Sequence, residues 1–159
     1  MSAARPSSRA ARRPPGQTLV HETKLRVRYS ETDAQGIVNS ASYLSYFEVG
    51  RVEWLRAAGL SYKELEKRGY GFVVVEALVR YRKAAFFDDE LTLRVGLTEL
   101  SKASLRFEYA VLRDGEVLAT GHTRHGCLEL ANGRPSRLPE NLIFRLRVAE
   151  SRPRTGAGD

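Results

Sequence analysis

A single stretch long enough for a multi-turn helix sits near the front of a chain whose remainder reads as strands. From about Ala41 to Ala58 the apolar residues Leu44, Phe47, Leu55 and Ala58 recur at helical spacing, with Tyr43, Gly50 and Trp54 beside them. Gly59 follows at the position where a left-handed residue closes a helix. A lone helix of this kind must bury its apolar stripe, and the only other material available is sheet. One long helix packed against one antiparallel sheet, an α+β arrangement, is therefore the expected architecture.

The elements around the helix follow from the same reading. Leu25, Val27 and Tyr29 alternate with Arg26, Arg28 and Ser30, the period of a half-buried strand. Ser61-Tyr62-Lys63-Glu64 is a capping-box pattern, so a short second helix should run to Arg68 and stop at Gly69. Four strands are expected beyond it, at Phe72–Lys83, Glu90–Leu100, Ala103–Arg113 and Val117–Leu130, as an antiparallel meander. In the first of these Val73, Val75, Ala77, Val79 and Tyr81 should share a face. Asp114-Gly115 marks a tight hairpin and Asn132-Gly133 the end of the last strand. Gly50 should let the helix approach the sheet closely. Open sheet edges and leftover apolar surface favour joining a second copy.

Composition narrows the class of protein. Of 159 residues 42% are apolar and 28% charged, as in a soluble single domain. The net charge of +7 suggests nucleic acid only until its distribution is followed. Residues 1–18 carry Arg5, Arg9, Arg12 and Arg13 with no acid, and the C-terminal end carries a further arginine excess, which leaves the body near neutral. No basic stripe with interleaved aromatics is present, so neither nucleic acid nor a membrane is an expected partner. The reading is a disordered basic tail over 1–18, one domain over 19–148 and a second disordered tail over 149–159. The basic leader has an organellar transit peptide's lack of acids, but Pro6, Pro14 and Pro15 break any helix there. With a single cysteine, Cys127, and no apolar h-region, a cytoplasmic location is expected.

The chemistry is expected just ahead of the long helix. Asp33 and Gly36 precede Asn39 and Ser40, two good capping residues. A helix start offers unpaired N–H groups and partial positive charge, which polarise a carbonyl, while a nearby carboxylate attacks its carbon or activates water. That combination suits acyl transfer or hydrolysis. Asp33 in T-D-A-Q-G also has the makings of a plain turn residue. Gly36 permits a tight turn beside a ligand.

The segment Tyr29-x-x-x-Asp33-x-x-Gly36-Ile37-Val38, then Tyr43-Leu44-x-Tyr46-Phe47-Glu48-x-x-Arg51-x-Glu53-Trp54-Leu55, resembles the 4-hydroxybenzoyl-CoA thioesterase family, and within it the YbgC-type acyl-CoA thioesterases. Tyr81 through Leu91 is similar to the same branch, and the likeness covers residues 22–142. The resemblance implies a hot-dog fold, a five-stranded antiparallel sheet wrapped around one long helix. It implies dimers, often paired into tetramers, with active sites at the dimer interface. The implied activity is hydrolysis of an acyl-CoA thioester without metal or redox cofactor, CoA entering only as part of the substrate. The family's catalytic acid falls on Asp33 and its oxyanion-binding main-chain N–H on Ser40. Where YbgC-type members usually read Val-Tyr-His-Ala-Asn-Tyr, this chain reads Val38 to Tyr43 as VNSASY, without the histidine. A backbone donor survives that change.

Other residues carry smaller claims. Gly36, Asn39, Tyr43 and Glu48 are candidate substrate contacts. Glu48 is a rival acid, since another hot-dog branch places its essential Glu on the long helix; alternatively it pairs with Arg51 or Arg56. Lys102 and Ser104 lie about where the family holds CoA phosphates, while Arg82 and Lys83 sit near strand ends. His122 and His125, at opposite parity on one strand, should face opposite sides of the sheet. Neither they nor Cys127 is expected to act in catalysis. Two other functions remain open: a non-catalytic acyl-CoA-binding module, and a hydratase or dehydratase, which would require an acid–histidine pair at the loop.

Overall fold

The computed structural model describes residues 20–150. The tail expected over 1–18, and residues 151–159 of the one expected over 149–159, lie outside the described residues. In chain order the elements are β1 (Val20–Arg26), a 3-10 turn (Tyr29–Glu31), α1 (Ser42–Ala57), α2 (Tyr62–Lys67), β2 (Tyr70–Tyr81), β3 (Glu90–Leu100), β4 (Ser104–Arg113), β5 (Glu116–Glu129), β6 (Arg134–Ser136) and α3 (Glu140–Glu150). The sheet is antiparallel in the order β1-β3-β4-β5-β2, with β6 added to β5 beyond the end of β4. Helix α1 lies across its inner face, which is the hot-dog arrangement.

Packing at the helix explains the sequence there. An added Cβ on Gly50 would meet Val95 Cγ2 at 2.6 Å, so only glycine lets α1 seat on β3. Trp54 meets Phe107 edge-on at 5.4 Å, and Phe47 stacks on Tyr109 at 4.2 Å, fixing the helix over β4. Gly59 closes α1 with a φ of 81°, and Ser61 caps α2 by accepting from the Glu64 N–H at 3.3 Å.

Four expectations change. The first strand runs Val20–Arg26, not Leu25–Tyr29. The Glu31 carboxylate accepts from the Arg28 N–H and winds the next three residues into the 3-10 turn, leaving Tyr29 exposed. The four later strands are not a simple meander. β2 skips β3 and pairs with β5, so the 82–89 connection crosses the sheet to β3, the neighbour of the opposite edge strand β1. Between Val74 and Glu76 β2 carries a register shift. Val73 and Val75 consequently flank Gly126 on the outer face, while Val74 and Tyr81 face α1. Finally, the chain beyond Gly133 is structured. β6 extends β5, and α3 buries Leu142 and Leu146 one turn apart and continues through 149 and 150, where a tail was expected to begin.

Two glycines of β5 make a matched test of packing. An added Cβ on Gly121 would lie against the Leu78 carbonyl oxygen and 2.7 Å from Phe47 Cε2, whereas on Gly126 it would find only Val73 and Val75 methyls at 3.7 and 3.8 Å. Gly121→Ala should therefore destabilise by about 3 kcal/mol, near 10 °C of melting temperature, while Gly126→Ala should be close to neutral in the same thermal unfolding measurement.

Candidate active site

The segment between β1 and α1 is a compact loop held at both ends. Thr32 bridges Val38, and Ile37 bridges Phe86. The Asp33 N–H donates to the Ile37 carbonyl at 2.8 Å, and the Gly36 N–H returns to the Asp33 carbonyl at 3.0 Å. Gly36 has a φ of 78° and open space around it, so its glycine answers to backbone conformation rather than crowding. Asp33 itself is exposed. Its Oδ1 accepts from the Gln35 N–H at 2.8 Å, an Asx turn, and its second oxygen has no partner among the described residues. The turn role and a free carboxylate oxygen coexist in one side chain.

Asn39 joins this loop to the helix. Its Nδ2 and its backbone N–H both donate to the Glu31 carbonyl, at 3.0 and 2.9 Å. Its Oδ1 accepts from the Ser42 N–H at 3.0 Å, so Asn39 is the functional cap and the chain already turns helically at Ser40 and Ala41. The Ser40 and Ala41 N–H groups have no acceptor among the described residues. The Ser40 carbonyl is pinned by the Tyr81 hydroxyl at 2.7 Å. An exposed carboxylate and two open N–H groups thus occupy one end of α1.

Two supports of this loop were not anticipated. Glu31 is nearly buried, and its carboxylate accepts from the Arg28 N–H, the Arg28 guanidinium and the Tyr46 hydroxyl at 2.8, 3.0 and 3.1 Å. Burial works to raise its pKa, but these three donors outweigh it and hold the carboxyl below the usual range. Tyr81, 41 residues from Ser40, is the other. A short acid-to-cap spacing hints at Glu31; nothing local in the sequence hints at Tyr81.

The remaining candidates are dispersed. Tyr43 is only 3% exposed, packed edge-on between Tyr46 and Tyr81, so in this chain its ring belongs to the core rather than to an open pocket. Glu48 makes no ion pair among the described residues, because Arg56 takes Glu53 and Arg51 turns inward to Tyr109. Glu48 and Arg51 instead line a cleft of about 160 Å³ with Tyr62, Phe72, Val74 and His125. Lys102 sits in the β3–β4 turn and Ser104 opens β4, at the end of the sheet away from Asp33, roughly 30 Å off at strand rise. There Ser104 is tied to Ser101. Lys83 pairs with Glu116.

Neither histidine accompanies Asp33. His122, on the outer face, meets Glu76 at 3.2 Å. His125, on the inner face and 1% exposed, has its pKa pushed down to about 4 by burial and then by Arg51, so it is neutral at ordinary pH. Cys127 is buried, and burial raises its thiol pKa. No serine–histidine–acid array forms among the described residues.

A model of the Thioesterase-like superfamily matches residues 27–146. The chain belongs to that superfamily. An Aquifex aeolicus protein named as a putative esterase is 36% identical over 120 residues, covering 76% of this chain and 92% of that one. The acyl-CoA thioesterase YbgC of Haemophilus influenzae is 32% identical over 119 residues, 74% and 88% of the two chains. Among solved structures, a hypothetical protein of Thermus thermophilus aligns with a TM-score of 0.78 at 41% identity, covering 81% of this chain and 98% of that one. The thioesterase is of YbgC type and is a thioester hydrolase. No helix among its described residues is long and apolar enough to cross a membrane.

Proposed function

We propose that this thioesterase hydrolyses an acyl-CoA thioester to the free acid and CoA, with Asp33 as nucleophile or general base and the Ser40 N–H polarising the carbonyl. The observation carrying the reading is the pairing of a free Asp33 oxygen with the open N–H groups of Ser40 and Ala41 at one exposed loop. As a base, Asp33 takes a proton from a water whose oxygen adds to the carbonyl carbon. The oxyanion rests on the Ser40 N–H, the C–S bond breaks, and the CoA thiolate leaves and is protonated. As a nucleophile, Asp33 forms an acyl anhydride with loss of the same thiolate, and water then opens it. Neither route uses a metal or redox cofactor. The H. influenzae relative's name agrees with a CoA ester as substrate. A hydratase or dehydratase reading finds no histidine at the loop.

The assembly we propose is a dimer through β2, with pairing of dimers a further step. This strand closes one edge of the sheet and exposes Val73, Val74, Val75, Leu78 and Tyr81, with Val75 at 61%. An edge so apolar, without a charged residue between Phe72 and Val75, is a pairing surface. Two β2 strands meeting antiparallel would bring the Lys102–Ser104 end of each subunit to the end that carries the other's Asp33. The CoA phosphates would then contact Lys102 and Ser104 across the interface, which accounts for their separation within one chain. Val75→Lys should convert the dimer to monomer in sedimentation and cut hydrolysis at least tenfold with Asp33 intact.

Thiol release from short, long and aromatic acyl-CoAs tests the reading. Release from at least one ester is expected. Saturable binding of CoA esters with release from none would make the protein an acyl-CoA-binding module instead.

A further inference from the structure

Five arginines among the described residues are half-buried: Arg51, Arg94, Arg106, Arg113 and Arg124. Four of them hold carboxylates, Glu22, Glu99 with Glu108, Asp89, and Glu76 with Glu99 respectively. Arg51 holds none. Its only partner among the described residues is the Tyr109 hydroxyl, at 3.3 Å. A partly desolvated guanidinium without a counter-charge is an anion site waiting for its anion.

The wall around Arg51 is built for an acceptor as well. Tyr109 Oη lies 2.5 Å from Thr123 Oγ1, which lies 2.7 Å from His125 Nε2, all buried under α1. Arg51 only donates, so it occupies an acceptor site of the Tyr109 hydroxyl. One consistent assignment sends the Tyr109 proton to Thr123 and the Thr123 proton to His125 Nε2. The neutral ring then carries its proton on Nδ1, which no described residue engages. Arg51 and His125 line the cleft together, with the apolar Phe72 and Val74 as its sides and Glu48, exposed, on the helix turn before Arg51.

We infer that this cleft receives the far end of the acyl group, and that Arg51 selects acyl groups ending in a carboxylate: monothioesters of dicarboxylic acids. This rests on the acyl-CoA reading above. Helical rise puts Arg51 about 16 Å beyond Ser40 in the same chain. The cleft lies at the Phe72–Val74 end of β2 and the Asp33 loop at the Tyr81 end, so antiparallel β2 pairing brings each cleft toward the partner's loop. The apolar sides accept methylenes, the guanidinium forks onto the carboxylate, and with the ring proton on Nδ1 His125 adds a third donor. Glu48 is the competing anion, one helical turn from Arg51.

The test compares glutaryl-CoA with pentanoyl-CoA, equal in chain length and differing in the terminal carboxylate. The wild type should favour glutaryl-CoA by about tenfold in kcat/KM. Arg51→Met should bring that ratio to about one or invert it, Arg51→Lys should keep part of it, and Glu48→Gln should raise it. A wild-type preference for pentanoyl-CoA, or an Arg51→Met variant that loses both substrates in equal proportion, overturns the inference. If neither ester is hydrolysed, the functional reading fails separately, and equilibrium binding decides the cleft. Tighter binding of glutaryl-CoA that needs Arg51 upholds it; equal binding of the two esters overturns it.

Discussion

Asp33→Asn is expected to lower kcat/KM for thioester hydrolysis by about a thousandfold, with the melting temperature within about 2 °C of wild type. The two halves of that expectation come from the two oxygens of one carboxylate. Oδ1 accepts from the Gln35 N–H at 2.8 Å and so helps shape the loop. An asparagine keeps that acceptor, and Asn is as good an Asx-turn residue as Asp. The second oxygen has no partner among the described residues, and in asparagine it becomes an amide that neither attacks a carbonyl nor accepts a proton from water. Because the side chain is exposed, no buried charge is gained or lost. A variant that melts like wild type and hydrolyses within tenfold of it would leave Asp33 a turn residue only. The acid would then have to be sought elsewhere, with Glu48 first.

What was legible in the sequence, and what was not, divides by the range of the interaction. The long helix, its Gly59 stop, the Ser61 cap and the β4–β5 hairpin were readable because each is decided within a few residues. Asp114 and Gly115 both adopt positive φ, 50° and 80°, as a tight hairpin requires. The place of β2 was not readable. Its own residues specify a strand, but its choice of β5 over β3 rests on pairing across the sheet, with a connection that crosses back to β3. The shift between Val74 and Glu76 then breaks the alternation that assigned Val73, Val75 and Ala77 to one face.

The site divides in the same way. Asp33, Gly36, Asn39 and Ser40 stand within eight residues of each other and were found together. Asn39, not Ser40, proves to be the cap, which leaves the Ser40 main chain open. The Tyr81 clasp on the Ser40 carbonyl and the Arg51–Tyr109–Thr123–His125 chain join segments tens of residues apart. Strand parity separated His125 from His122 correctly, but parity does not say which face is buried. Charge pattern on the helix offered Glu48 a pairing with Arg51 or Arg56, but Arg56 takes Glu53 and the hydroxyl across the core takes Arg51.

Ser40→Pro is the sharpest test of the oxyanion assignment, and a loss of about a hundredfold in kcat is expected, with Ser40→Ala within about threefold of wild type. Serine's hydroxyl has no assigned part in the chemistry, so removing it should matter little. Proline removes the N–H itself. It does so at a position that tolerates it, because Ser40 directly follows the capping Asn39, and the first residue of a helix is where proline is favoured. The Tyr81 hydroxyl bonds the Ser40 carbonyl, which proline retains. Circular dichroism and the melting temperature should therefore stay near wild type while turnover falls. Full activity in a folded Ser40→Pro protein would transfer the oxyanion to the neighbouring Ala41 N–H, which is equally open. An equal loss in Ser40→Ala would instead place the serine side chain in the reaction. The contrast between the two variants thus separates a backbone donor from a side-chain one at a position where the family's usual histidine is missing.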